Sequence, residues 1–199
     1  MAFGDFSFPQ VRDDLGLSVD EADLYSAVPA LLLRDDFVAT LREGATVALA
    51  VNTEKAKSEF IIAPVLLELR RILGGNLGLF SGVELNVDPS RGLNGVCDFI
   101  LSRGSRQFIL SAPLVAIVEA KNDSLRGGLG QCIAATCAAQ LLNQQAGSPI
   151  PVVHGVVTTG SAWKFLRLEG EVVTLDLKEY YVDDPGKVLG ILQHIVRTS

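Results

Sequence analysis

The sequence predicts an α/β sandwich built on a mixed sheet, with short helices decorating its N-terminal side. Three observations carry that expectation. A long amphipathic helix precedes three apolar strands in succession, and an alanine-rich helix then leads to a further strand. No glycine fingerprint of a nucleotide-binding fold competes: Gly127-Gly128-Leu129-Gly130 lacks both the Lys-Ser/Thr of a P-loop and the Gly-x-Gly-x-x-Gly spacing.

Residues up to about 45 read as short helices, with Ser18 and Asp20 as caps ahead of Glu21-Ala22-Asp23-Leu24 and another helical piece from Arg34 to Arg42. A long helix is expected from about Thr53 to Leu73, stopped by Gly74-Gly75. At about 100° per residue Glu59, Ile62, Leu66, Leu69 and Leu73 share one stripe, which turns Glu59 inward and Glu68 outward. Pro64 removes a helix hydrogen bond and predicts a bend one turn after Glu59. Strands are expected from Leu79 to Leu85, Asn94 to Leu101 and Leu114 to Lys121, as an antiparallel meander. Its second connection is the polar turn Ser102-Arg103-Gly104-Ser105-Arg106. A helix from about Gly128 to Gln145 stops at Gly147-Ser148-Pro149, and strands follow at Val152 to Thr158, Trp163 to Leu168 and Glu171 to Leu175. A last helix runs from about Pro185 to Val196. Nothing between these elements reads as a linker or a repeat, so 1–199 is expected to form one domain: an extension over 1–50, a core over 54–168 and a closing strand and helix over 169–199.

At 199 residues, 48% hydrophobic and 20% charged, the chain is long enough to bury a core without staples. Its three cysteines, Cys97, Cys132 and Cys137, are an odd number inside apolar elements and read as small buried hydrophobes, not as a disulfide or zinc framework. His154 and His194 are the only histidines and share no metal-ligand spacing, which argues against zinc hydrolysis and Ser-His-Asp catalysis. No apolar stretch approaches the roughly 18 residues of a membrane span. Met-Ala-Phe-Gly-Asp-Phe-Ser-Phe lacks the basic and apolar segments of a signal peptide, so the expected location is the cytoplasm. The net charge of −6 counts against a broad, non-specific nucleic-acid binder. Charge can be segregated, however, and about half of the lysines and arginines fall between residues 55 and 126.

Within that interval the chemistry concentrates at strand ends. Glu119 and Lys121 terminate the apolar run Pro113-Leu114-Val115-Ala116-Ile117-Val118, and a strand puts residues i and i+2 on one face. An acid and an ammonium then sit side by side where the sequence otherwise reads as sheet interior, a costly arrangement without a purpose. Asp98 is the single carboxylate of the preceding apolar strand, so the two acids meet if the strands pair. Each residue also has a plainer reading. Asp98 can pair with an arginine, Glu59 with Lys55 four residues earlier, and Gln131 can satisfy backbone groups at a helix start.

An acid on one strand, Glu-x-Lys at the end of the next and a glutamine on the following helix together resemble the PD-(D/E)XK (restriction endonuclease-like) nuclease superfamily. The resemblance spans about Glu54 to Leu168, with the αβββαβ core order of that superfamily. It implies a restriction endonuclease-like α/β/α sandwich and Mg²⁺-dependent hydrolysis of phosphodiester bonds in DNA, with Mn²⁺ as a substitute. By that resemblance Asp98 and Glu119 are metal ligands, the carbonyl of Ala120 adds a third oxygen, and Glu59 binds a metal or its water from the first core helix. Lys121 orients the attacking water or stabilises developing charge, and Gln131 matches a polar residue that some families place near the lysine. Cys97-Asp98 stands where Pro-Asp is common. The chain is also similar to the N-terminal nuclease domain of type I restriction subunits, which implies a homodimer or a separate partner that reads sequence. Two other readings stay open: a non-catalytic binding or scaffold protein that keeps the nuclease fold, and an RNA nuclease.

Overall fold

The most apolar runs of the chain become neighbours at the centre of one eight-stranded mixed sheet, ordered β1 (Ser18–Ala22), β7 (Val172–Asp176), β6 (Ala162–Glu169), β5 (Val153–Thr158), β4 (Leu114–Ala120), β3 (Leu93–Arg103), β2 (Leu77–Asp88), with β8 (Tyr180–Tyr181) pairing to β6. The structure is a computed structural model and describes residues 1–105, 107–148 and 150–199. Strands β2 (Leu77–Asp88), β3 (Leu93–Arg103) and β4 (Leu114–Ala120) form an antiparallel meander. Helix α5 (Leu125–Gln145) then crosses over to β5 (Val153–Thr158), which lies parallel to β4. Strands β6 (Ala162–Glu169), β7 (Val172–Asp176) and the short β8 (Tyr180–Tyr181) extend the sheet in the antiparallel sense. All residues of β4 and β5 are buried, as befits central strands covered on both faces.

Helices cover both faces. Helix α1 (Phe8–Leu15) and α5 pack on one side through Val11, Leu15, Cys132 and Ile133. On the other side lie α2 (Asp35–Val51), a composite helix and α6 (Pro185–Thr198), through Phe37, Leu41, Leu66, Leu69 and Leu192. Trp163 and Phe165 are fully buried in this second layer, and the indole N–H of Trp163 donates to the Gly160 carbonyl at 3.0 Å. The mixed α/β architecture and central mixed sheet match the expectation from sequence. Arg106 of the expected turn and Pro149 of the expected helix stop lie outside the described residues.

Three local expectations are corrected. The segment read as a capped helix at Ser18 is β1 (Ser18–Ala22), which pairs in parallel with β7 from Ser18↔Val172 to Ala22↔Asp176. Five residues are too few for a helix to be stable alone, and the otherwise open edge of β7 offers backbone partners that override local propensity. The meander's second connection is longer than a polar hairpin turn, because β3 runs on to Arg103 and β4 begins only at Leu114.

The third correction concerns the long helix, which has three parts: α3 (Glu54–Lys57), a π turn (Ser58–Ile62) and α4 (Ala63–Ile72). Thr53 starts it by accepting a bond from the Ala56 N–H at 3.1 Å. The π turn sits where Pro64 predicts a bend, since proline has no N–H to return to the carbonyl of Phe60. A π turn holds about one residue more than an α turn and so rotates everything upstream of it relative to the α4 stripe. Glu59 accordingly points outward, its side chain 54% exposed and paired with Lys55 at 3.4 Å. Glu68 is the inward acid, 4% exposed. There it accepts from Arg71 Nε at 2.8 Å and from Arg34 at 3.4 Å, because the chain leading into α2 covers a flank that a one-stripe reading leaves to solvent. Arg71, then Arg34, holds the Glu68 carboxyl below the usual range against the opposing effect of burial.

Candidate active site

Pairing between β3 and β4 runs from Ser102↔Leu114 to Phe99↔Val118, so Asp98 and Glu119 are the next residues out on the two strands. The Asp98 side chain then takes over from the backbone: its Oδ2 accepts the Ala120 N–H at 2.7 Å. A carboxylate thus replaces a ladder bond, and the two acids are held together at the end of the strands.

Glu119 is 1% exposed, with Val157 of β5 beside it. Lys121 Nζ donates to its Oε1 at 2.6 Å and to Gln131 Oε1 at 3.1 Å. Glu119 Oε2 is buried with no hydrogen-bond partner among the described residues. That orphan oxygen is expensive, since a buried charged acceptor without a donor loses its hydration for nothing in return. Burial, with the Asp98 charge adding to it, pushes the Glu119 carboxyl up to about 7, while Lys121 pulls the other way. Burial also opposes the Lys121 ammonium, but the bond and charge of Glu119 outweigh it and hold the lysine above its ordinary value.

The glycines before Gln131 serve close approach within α5, not phosphate binding. A Cβ at Gly128 would lie 2.6 Å from Val157 Cγ1 and 2.9 Å from Lys121 Cγ, so only glycine lets the lysine stem pass over the helix. A Cβ at Gly130 would meet the Phe6 carbonyl oxygen at 2.2 Å, which presses the N-terminal segment against α5. Ser124 caps the helix by accepting the Gly127 N–H at 3.2 Å.

Four of the residues named from sequence, Asp98, Glu119, Lys121 and Gln131, are therefore brought together, and Ala120 lies between the two that end β4. Glu59 is not among them. The acid of the first helix whose charge reaches the cluster is Glu54, which raises both Glu119 and Lys121. Lys57 is buried and ties α3 to the segment after β4, donating to the Asn122 carbonyl at 2.6 Å and to its Oδ1 at 3.1 Å. Two of the basic residues of this half are engaged elsewhere: Arg70 donates to the Leu77 carbonyl and Arg71 serves Glu68. Among the described residues no group of three or more His, Cys, Asp or Glu side chains is placed to hold a metal ion. No helix there is long and apolar enough to cross a membrane.

No protein-family model matches the chain, and no curated protein is similar to it.

Proposed function

We propose that the chain is a divalent-cation-dependent nuclease that hydrolyses phosphodiester bonds in DNA, with Asp98, Glu119, Lys121 and Gln131 at its centre. The observation that carries this reading is the buried Glu119 carboxylate. It has one oxygen on Lys121 and one with no partner among the described residues, next to a second carboxylate at the end of a central strand. The order of the composite helix, β2, β3, β4, α5 and β5 supports the likeness to the PD-(D/E)XK core.

The donor set fits Mg²⁺ or Mn²⁺. Both prefer oxygen ligands and are commonly held by one or two carboxylates with water and substrate phosphate completing the shell. Glu119 Oε2 and Asp98 offer those oxygens, and the Ala120 carbonyl is a candidate third. A bound cation would neutralise charge on the phosphate and lower the pKa of a bound water. The chain's own contribution is placement and charge. Asp98 is fixed by the Ala120 N–H, so it cannot swing away from Glu119. Lys121 is held by Glu119 on one side and Gln131 on the other, which aims its ammonium at the mouth of the site, where it can hold a water or a nonbridging phosphate oxygen. Of the first-helix acids it is Glu54, not Glu59, whose charge acts on both Glu119 and Lys121, so Glu54 is the one that would add negative charge beside a bound cation.

A second reading, a non-catalytic protein that keeps this arrangement, draws on the absence, among the described residues, of a group of three or more such side chains placed to hold a metal ion. Cleavage assays separate the two. Wild-type protein should cut single- or double-stranded DNA in Mg²⁺ or Mn²⁺ and not in EDTA. Lys121→Ala should lose about a hundredfold or more of that activity, the scale seen when a transition-state charge contact is removed. Undiminished cutting by the variant, or none by wild type on any DNA, RNA or metal tried, rejects the nuclease reading.

A further inference from the structure

A polar cavity lies at the opposite end of β5 from the Glu119 cluster. Glu119 sits beside Val157 near the end of that strand, whereas His154 sits beside Ala116 near its start. Three residues of strand separate the two positions by about 10 Å and put them on opposite faces of the sheet. The cavity, about 320 Å³, is lined by Tyr25, His154, Arg167, His194 and Thr198 together with Leu24 and Val152. Sheet register sets His154 directly across from Arg167 of β6, and His194 reaches the same space from α6. The chain's only two histidines, which sequence spacing keeps apart, thus share one cavity with an arginine.

His154 is 5% exposed, and its Nδ1 lies 2.9 Å from the Tyr25 hydroxyl. Its Nε2 has no protein partner among the described residues, on a side chain that lines the cavity. When Tyr25 donates to Nδ1, Nε2 carries the hydrogen and offers a donor to the cavity. Burial, then the charges of Arg167 and His194, hold the His154 ring at about 3, so it is neutral under ordinary conditions. Two acids lie close. Glu169 accepts from one nitrogen of Arg167, whose guanidinium has five N–H donors in all. Asp176 is occupied by the N–H groups of Leu24 and Lys178 and by the Tyr180 hydroxyl. One cationic side chain, Arg167, and the ring nitrogens of two histidines therefore converge on the same open space.

We propose that this cavity binds a small oxyanion of the phosphate type, with Arg167 supplying charge and the His154 and His194 rings supplying N–H donors. The site is independent of the nuclease reading. Its anion is either free inorganic phosphate or a phosphate of a nucleic-acid strand.

With two histidines in the chain, a ¹⁵N-histidine NMR spectrum holds two ring systems and reports the site directly. Inorganic phosphate at constant ionic strength should shift both rings saturably, and chloride should not. Arg167→Gln and His194→Gln, both at surface-accessible positions, should each weaken the apparent affinity by about tenfold or more, the worth of one charge-assisted bond. Asp98→Asn should bind phosphate like wild type. A tetrathymidylate without a terminal phosphate that shifts the same rings assigns the site to backbone diesters; a response to inorganic phosphate alone assigns it to the free ion. No saturable shift with either probe, equal shifts with chloride, or wild-type affinity in Arg167→Gln would overturn the proposal.

Discussion

Burial at the end of β4, reinforced by Asp98, raises the Glu119 carboxyl from an ordinary 4.5 to about 7, and Lys121 only partly offsets it. Between those two values the folded chain holds a proton that the unfolded chain has released. The free energy of unfolding therefore falls as pH rises from about 4.5 to about 7 and is flat above, by an amount on the order of 3 kcal/mol. His154 acts with the opposite sign. Its ring is held at about 3 against an ordinary 6.5, so stability falls as pH drops below about 6.5. Glu119→Gln removes the first effect and leaves the second. Denaturant unfolding of both proteins from pH 5 to pH 8 should show the variant gaining on wild type as pH rises. Parallel curves would mean that Glu119 is ionised throughout, with its orphan oxygen satisfied in some other way. That pair was legible in the sequence because strand periodicity needs only two residues to act, and Glu119 and Lys121 are two apart at the end of an unbroken apolar run. What the residues alone did not give was the Asp98 bond to the Ala120 N–H, which depends on where the β3–β4 ladder stops.

Helical phase is a longer-range property, and it failed at a single insertion. The stripe through Glu59, Ile62, Leu66 and Leu69 is correct from Ile62, the last residue of the π turn, into α4, where Leu66 and Leu69 are buried, and wrong for Glu59 at the start of that turn. Pro64 was the available signal: a helix that must release a carbonyl can kink or can take in an extra residue, and only the first was expected. The expected consequence is that Glu54→Gln lowers DNA cleavage by about tenfold or more, while Glu59→Gln leaves it within about twofold, as one exposed i,i+4 ion pair would. Equal effects in side-by-side turnover measurements would contradict that assignment. The same turn sets a packing constraint. The Phe60 carbonyl approaches α2 so closely that a Cβ at Gly44 would lie 2.4 Å from its oxygen. Gly44→Ala should therefore destabilise the chain by about 1–3 kcal/mol despite alanine's better helix propensity, read as a lower denaturant midpoint. A neutral or stabilising substitution would show that the two helices separate easily.

At the scale of the whole molecule the central strands were the readable part. The run Leu114 to Val118 is apolar on both faces, which is the mark of a strand covered twice, and the alanine-rich α5 after it was expected to lead to a further strand of the mixed sheet. The edge strand β1 was not readable, because its five residues are half exposed and owe their conformation to β7. The two ends of the sheet also differ in a way that composition hides. Net charge is −6, yet Asp98 and Glu119 gather at the far end of β4, while His154, Arg167 and His194 surround a cavity at the near end of β5. The direct test of the central claim is calorimetric titration of Mg²⁺ and Mn²⁺ into wild type and Asp98→Ala, with and without a DNA oligonucleotide, the heat of metal binding to DNA alone being subtracted. Saturable binding by wild type that disappears in the variant is the predicted result. Absence of binding by wild type even with DNA present, or equal binding by both proteins, would contradict it.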